Sequence, residues 1–182
     1  MAALRPLAGP RALFCLAVRG GELIERKDMA YELLDLIRQA RMLYHRLVLI
    51  VGPVGSGKTT LLRDAKDTLC SPLINVSLEL SIRMINLTAE QRKLEVGRIL
   101  AEVVSFTGTD IVLMDNLEVL FDPKLEQDPL RLLQGLARNR TIVAAWNGSI
   151  TDGQLTYAKP QHPEYKKQGI QDFLFLDLNR TD

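Results

Sequence analysis

The sequence predicts an α/β fold in which a mostly parallel sheet is covered by helices on both faces. Three observations lead there. Five short runs are dominated by apolar residues, the first and third without a polar one: Leu47-Val48-Leu49-Ile50-Val51, the stretch 73–78, Ile111-Val112-Leu113-Met114, the stretch 141–146 and the stretch 173–178. A strand without alternation is buried on both faces, as the strands of a parallel sheet are. The segments between the runs carry helical spacing of apolar residues, and no repeat or low-complexity tract interrupts them. At 182 residues the chain is long enough for one domain with a substantial core.

Residues 1–21 form a distinct arm, with Arg5, Arg11 and Arg19, no acid, and the apolar stretch 12–18. Arg19-Gly20-Gly21 lacks the small-residue cleavage pattern of a secretory signal, so the arm reads as a loosely attached extension or a start codon set too early, with Met29 as one candidate start. The domain proper is expected over 22–182. Asp28 can cap a helix reaching about His45, with Met29, Leu33, Ile37, Ala40 and Tyr44 on one face. It leads into the first strand. Helix 60–69 follows, broken by Ser71-Pro72, and then the second strand at 73–78. Thr88-Ala89-Glu90-Gln91 matches a capping box and opens a helix toward Phe106, ended by Gly108. The third strand is 111–114. Asp128-Pro129 starts the next helix with a cap and a proline at its first position, and Leu130, Leu133 and Leu136 form its inward stripe. Strands four and five close the pattern. Between them, 147–171 shows no helical period and reads as a long polar loop, a partner-contact or substrate-gating segment.

Between the first strand and the first intervening helix stands Gly52-Pro53-Val54-Gly55-Ser56-Gly57-Lys58-Thr59, which fits G-x-x-x-x-G-K-[ST]. Glycines let the backbone curl so that successive N–H groups face phosphate oxygens, and the helix that starts here adds its positive end. Lys58 can reach the terminal phosphates as a point charge; the Thr59 hydroxyl can ligate Mg²⁺, and Thr60 extends the cradle. This predicts ATP with Mg²⁺ as the bound group, ATP and GTP not being distinguished. Asp115, ending the apolar strand at 111–114, suits the opposite side of the cation. The position after it, where many ATPases carry a glutamate, holds Asn116; the nearest acid is Glu118, a candidate base, with Glu79 as a lower-ranked rival beyond the second strand. Asn147 at the tip of the fourth strand can sense the γ-phosphate or open an Asn-Gly turn with Gly148. Arg138 and Arg140 suit the C-terminal dipole of the preceding helix, or reach a neighbouring subunit's nucleotide as an arginine finger.

The formal charge of +1 gives no large electrostatic footprint for direct DNA contact. Cys15 and Cys70 have neither metal nor redox spacing; Cys70 reads as a free buried thiol in a cytoplasmic protein. No apolar run reaches membrane-spanning length. His162-Pro163-Glu164 lacks the paired cysteines a zinc deaminase needs.

Over about 45–180, the order of Lys58, Asp115 and Asn147 resembles the AAA+ and STAND-like division of P-loop ATPases. That resemblance implies a three-layer P-loop NTPase fold with a five-stranded sheet ordered 5-1-4-3-2 and ATP at the carboxyl ends of the strands. It also departs from that division, because the loop 147–171 stands where a finger-bearing helix is expected and no C-terminal lid domain follows. The segments 51–59, 75–81, 114–118, 155–158 and 162–165 are similar to those of the small P-loop proteins of type 3 BREX phage-defence systems. The implied partners are other defence components, including a larger ATPase and a DNA methyltransferase, with a homo-oligomer as a further expectation. The implied function is ATP binding and slow hydrolysis in regulation or assembly of such a system; a non-hydrolysing nucleotide-switch adaptor and a small-molecule kinase are the alternatives.

Overall fold

A computed structural model describes residues 20–179, with side chains from 27 onward. Of the N-terminal arm, only Gly20 and Gly21 fall inside that range. Helix α1 runs Gly20–Ala40, starting before Asp28 because the stretch Glu22–Lys27 contains no breaker and Asp28 sits exposed within the helix. It stops short of His45. Met42 N–H and Leu43 N–H bond back to Gln39 and Ala40 carbonyls at 3.0 Å, tightening the end into turns.

The sheet carries β1 (Leu47–Gly52), β2 (Leu73–Asn75), β3 (Ile111–Asp115), β4 (Thr141–Thr151) and β7 (Leu174–Asp177), all mutually parallel in the order β2-β3-β4-β1-β7. Counting β7 as the fifth parallel strand, this is the expected 5-1-4-3-2. Helices α2 (Lys58–Leu69), α3 (Val76–Met84), α4 (Ala89–Phe106) and α5 (Pro129–Leu136) complete the three layers. The two-residue period of a strand divides the core. Leu47, Leu49 and Val51 face the layer of α3, α4 and α5, whereas Val48 and Ile50 face α1 and α2. All six residues of β1 are buried, which is why its sequence shows no alternation.

Two further expectations fail. The second strand stops at Asn75, whose side chain accepts a hydrogen bond from Leu78 N–H at 3.0 Å and so caps α3. The apolar run continues only because Val76, Leu80 and Met84 form the buried stripe of that helix. The segment 147–171 is not a loop. β4 continues to Thr151 and pairs antiparallel with β5 (Gln154–Tyr157), which pairs with β6 (Lys166–Gly169). The turn is Asp152-Gly153, with φ of 51° and 70°, the positive pair that a two-residue I′ hairpin requires. Asn147-Gly148 lies inside the strand.

Gly148 is where this ribbon closes on the main sheet. A Cβ there would stand 1.8 Å from the Thr156 carbonyl oxygen and 3.2 Å from the Trp146 indole nitrogen. The same carbonyl accepts the Trp146 indole N–H at 2.8 Å. Tyr157 then stacks on Phe121, ring centroids 3.4 Å apart at 7°, while Trp146 meets Phe121 edge-on at 5.0 Å. Gly148→Ala therefore forces the ribbon off the sheet. Calorimetry should show the cost of an overpacked site, about 1–3 kcal/mol, as a Tm lowered by several degrees; an unchanged Tm would sink this account of the junction.

Candidate functional site

The loop 52–59 leaves the carboxyl end of the buried strand β1 and turns directly into α2. Gly52 permits a close approach: a Cβ on it would lie 2.5 Å from Ser56 Oγ and 3.1 Å from Leu178 Cβ. Gly55 and Gly57 have φ of 85° and 90°, conformations that glycine adopts without strain, and open space surrounds both. Pro53, Val54 and Gly55 are exposed, and Thr59 and Thr60 are half-buried in the first turn of α2.

Helix starts reveal what this loop is for. Asn75, Thr88 and Asp128 cap α3, α4 and α5 through side-chain oxygens, and Thr88 with Gln91 forms the expected capping box. Helix α2 has Gly57 at its N-cap, with no side-chain cap and no acid in its first turn. Its leading N–H groups are left for an anion, at the positive end of a twelve-residue helix.

Lys58 is only 6% exposed. Its ammonium donates to the Gly52 carbonyl at 2.7 Å, the Pro53 carbonyl at 2.6 Å and Ser56 Oγ at 3.3 Å. Burial pushes its pKa below the ordinary lysine value, while the Asp115 and Glu118 carboxylates pull the other way. Both acids are thus within electrostatic reach of the loop. The cradle and its donors fit a triphosphate: an ammonium satisfied by weak loop carbonyls, uncapped N–H groups and room beside the glycines.

Asp115 is 8% exposed and accepts the Asn116 N–H at 2.9 Å. Asn116 adopts φ of 55°, a left-handed turn that asparagine tolerates better than glutamate does. Its carbonyl is gripped by Ser77, through the N–H at 2.9 Å and Oγ at 2.7 Å, so α3 holds the turn from the side. The chain then enters a 3-10 helix, Glu118–Phe121. That turn brings Glu118 round to Asn147: the Asn147 amide donates to Glu118 Oε1 at 2.6 Å. Asn147 is the lateral neighbour of Gly52 in the β1–β4 pairing, at the mouth of the loop.

The other sequence candidates have partners of their own. Glu79 sits in α3, 3.5 Å from Arg83 in a partly exposed pair. Arg138 and Arg140 precede β4, and since β4 runs parallel to β1 they stand at the end of the sheet opposite the loop. Arg140 donates to the Val104 carbonyl at 2.7 Å, and Arg138 lies over the Tyr44 ring, 5.9 Å from its centroid. Cys70 is free and exposed rather than buried. Among the described residues, no helix is long and apolar enough to cross a membrane and no cluster of three or more His, Cys, Asp or Glu could hold a metal.

Ser77, Phe121 and Tyr157 belong to the site's support and escaped sequence reasoning. Ser77 was placed within a strand. Tyr157 had a legible signal, since Asp-Gly between Ser149-Ile150-Thr151 and Gln154-Leu155-Thr156-Tyr157 marks a hairpin.

The strand order, the loop between β1 and α2, and the acid ending β3 define an α/β fold of the P-loop class. No protein-family model matches the chain, and no curated protein sequence does. Among solved structures, it is similar to C. elegans PCH-2 at 17% identity, TM-score 0.39, covering 68% of this chain and 37% of that one. It is similar to the replication initiator DnaA bound to AMPPCP and single-stranded DNA, at 17% identity and TM-score 0.44, covering 88% and 47%. A structure described as showing katanin self-assembly matches at 16% identity and TM-score 0.33, covering 75% and 55%. The chain thus spans only about a third to just over half the length of these structures.

Burial raises the Tyr157 hydroxyl from 10.0 to about 12, with Glu164 and Glu118 adding to the shift. A group whose folded pKa is raised contributes stability below its unfolded pKa and loses it as pH rises through the folded one. Wild-type Tm should therefore fall between pH 10 and about 12 more steeply than that of Tyr157→Phe. Parallel alkaline limbs in the two proteins would contradict the burial of this hydroxyl.

Proposed function

We propose that this chain binds ATP with Mg²⁺ and hydrolyses it slowly, as a P-loop ATPase of the AAA+/STAND-like division. The observation that carries the reading is the uncapped start of α2 beside the buried Lys58, whose ammonium is held only by two loop carbonyls and the Ser56 hydroxyl. Gly52, Pro53, Val54, Gly55, Ser56, Gly57, Lys58, Thr59 and Thr60 line the phosphate cradle; Thr59 and Asp115 would hold Mg²⁺. Bound ATP supplies a γ-phosphoryl electrophile, and the metal offsets its charge. Lys58 exchanges the Gly52 and Pro53 carbonyls for anionic oxygens, which relieves the cost of its burial and raises its pKa. Glu118 is the base that orients and deprotonates water. Asn147 first restrains it and then, by turning its amide, frees it and reports on the phosphate.

A nucleotide switch without turnover is the second reading. It is favoured by the Asn147–Glu118 hydrogen bond of 2.6 Å and by the left-handed Asn116 where a glutamate is usual. Steady-state phosphate release separates the two. Lys58→Ala should lose a charge-assisted contact worth about 1.5–3 kcal/mol, roughly ten- to hundredfold in ATP affinity. Glu118→Gln should keep ATP binding and lower kcat by about 10²–10⁴-fold. Wild-type turnover no faster than that of Lys58→Ala would establish the switch instead.

The cellular role proposed is regulation or assembly of a multi-protein bacterial anti-phage system, with a larger ATPase and a DNA methyltransferase as partners, and self-association as a further possibility of assembly. Its support is the similarity of 51–59, 75–81 and 114–118 to the small P-loop proteins of type 3 BREX systems. In a host carrying the whole gene set, Lys58→Ala should restore phage plating to the unprotected level; full protection with this variant would remove the nucleotide from the role.

A further inference from the structure

The other end of the sheet has its own chemistry. Residues 38–46 carry Arg38, Arg41 and Arg46 and no acid, and 137–140 add Arg138 and Arg140. The two segments are joined: Arg46 N–H bonds to the Ala137 carbonyl at 2.8 Å, and Ile142 N–H to the Arg46 carbonyl at 2.8 Å. A net charge of +1 therefore averages away a local concentration of arginine. Part of it has an internal account. Arg140 satisfies a carbonyl near the end of α4, and Arg38 pairs with Asp35 at 3.0 Å. Arg41, Arg46 and Arg138 pair with no carboxylate among the described residues, although Asp110 and Asp172 stand at the same end.

An aromatic platform lies among these cations. Tyr44 is 72% exposed and Met42 87%. The Arg138 guanidinium lies over the Tyr44 ring, and the His45 ring meets it edge-on at 4.7 Å. His45 keeps that position although its Nδ1 is buried without a hydrogen-bond partner among the described residues. A polar group is left unsatisfied and Tyr44 stays oriented, facing solvent.

We propose that this end binds single-stranded nucleic acid, with Arg41, Arg46 and Arg138 on phosphodiesters and a base stacked on Tyr44. Arginines without a carboxylate partner meet the backbone charge, and an exposed ring flanked by a guanidinium takes any unpaired base. The site is independent of the nucleotide reading. It lies at the far end of β1, a six-residue strand that spans about 20 Å. It takes DNA or RNA by the same chemistry.

Fluorescence anisotropy of the full chain with labelled oligo-dT and oligo-rU tests this, the tighter probe identifying the sugar. Three phosphate contacts predict a slope of log affinity against log salt of about −2. Arg41→Gln/Arg46→Gln should reduce that slope to about −0.7. Tyr44→Ala should weaken binding at least about fivefold at constant slope, with Tyr44→Phe restoring it. Unchanged Tm and ATP affinity in each variant show that the fold is intact. The proposal is overturned if neither probe binds below about 100 µM. It is equally overturned if the arginine variant keeps wild-type slope and affinity, if Lys166→Gln/Lys167→Gln on the hairpin abolishes binding instead, or if polyglutamate binds and the oligonucleotides do not.

Discussion

A buried ammonium with no carboxylate in contact is the constraint on which the nucleotide end depends. Lys58 is held by two carbonyls of its own loop and one hydroxyl, with Asp115 and Glu118 acting on it only through space. Such a charge stays folded only if the surrounding backbone cannot relax around it. That rigidity comes from β1, fully buried and paired on both edges, by β4 and β7. Leu178 N–H bonds to the Val51 carbonyl at 2.7 Å and closes the strand just before Gly52. The loop has little freedom where it starts and none where α2 takes over. A lysine poised on weak acceptors gains most when anionic oxygens replace them.

From that point the acidic side of the site is held by packing. Asp115 ends β3, Ser77 fixes the turn after it, and Phe121 anchors the 3-10 helix that carries Glu118. Phe121 is in turn stacked on Tyr157, whose strand is hydrogen-bonded to Trp146. Glu118 and its restraint Asn147 therefore both hang on one aromatic cluster, through Phe121 and Trp146. Displacing the ribbon would move both. This gives the antiparallel ribbon a route to Glu118 that does not pass through the phosphate loop, and it occupies the chain position where a finger-bearing helix was expected.

The parts legible in the sequence were those whose signal is local and periodic. The apolar strands, the capping box at Thr88, the cap and proline at Asp128-Pro129 and the loop 52–59 are all written in residue order, whereas the strand order came from the resemblance to P-loop ATPases. What escaped depended on tertiary context. The run 73–78 gives the same apolar pattern for a short strand followed by a buried helix face, and only the Asn75 cap divides them. The hairpin was overlooked because its strands are polar and its length resembled a loop, although Asp152-Gly153 marked it. Glu118 was a candidate on spacing alone; the left-handed Asn116 supplies the turn after which Glu118 meets Asn147. Arg138 and Arg140 were weighed as partners of the helix C-terminal dipole or as fingers reaching a neighbouring subunit's nucleotide. Strand direction separates them from this chain's own phosphate loop.

That separation sharpens the relation between the two ends of the sheet. β4 begins beside the arginine-rich end and reaches Asn147 at the nucleotide end, then continues without a break into the ribbon. β1 likewise begins one residue after Arg46 and ends at Gly52. Two adjacent, fully paired strands thus link the cationic face to the phosphate loop through buried residues on both sides, Leu49 and Ala144 toward one helical layer, Ile50 and Ala145 toward the other. A packed sheet of this kind transmits displacement poorly as bending and better as rigid motion of the layers that flank it. Any coupling between the ends would then pass through α1 and α5, the helices whose C-termini feed those two strands. The aromatic ribbon would be its readout at Glu118.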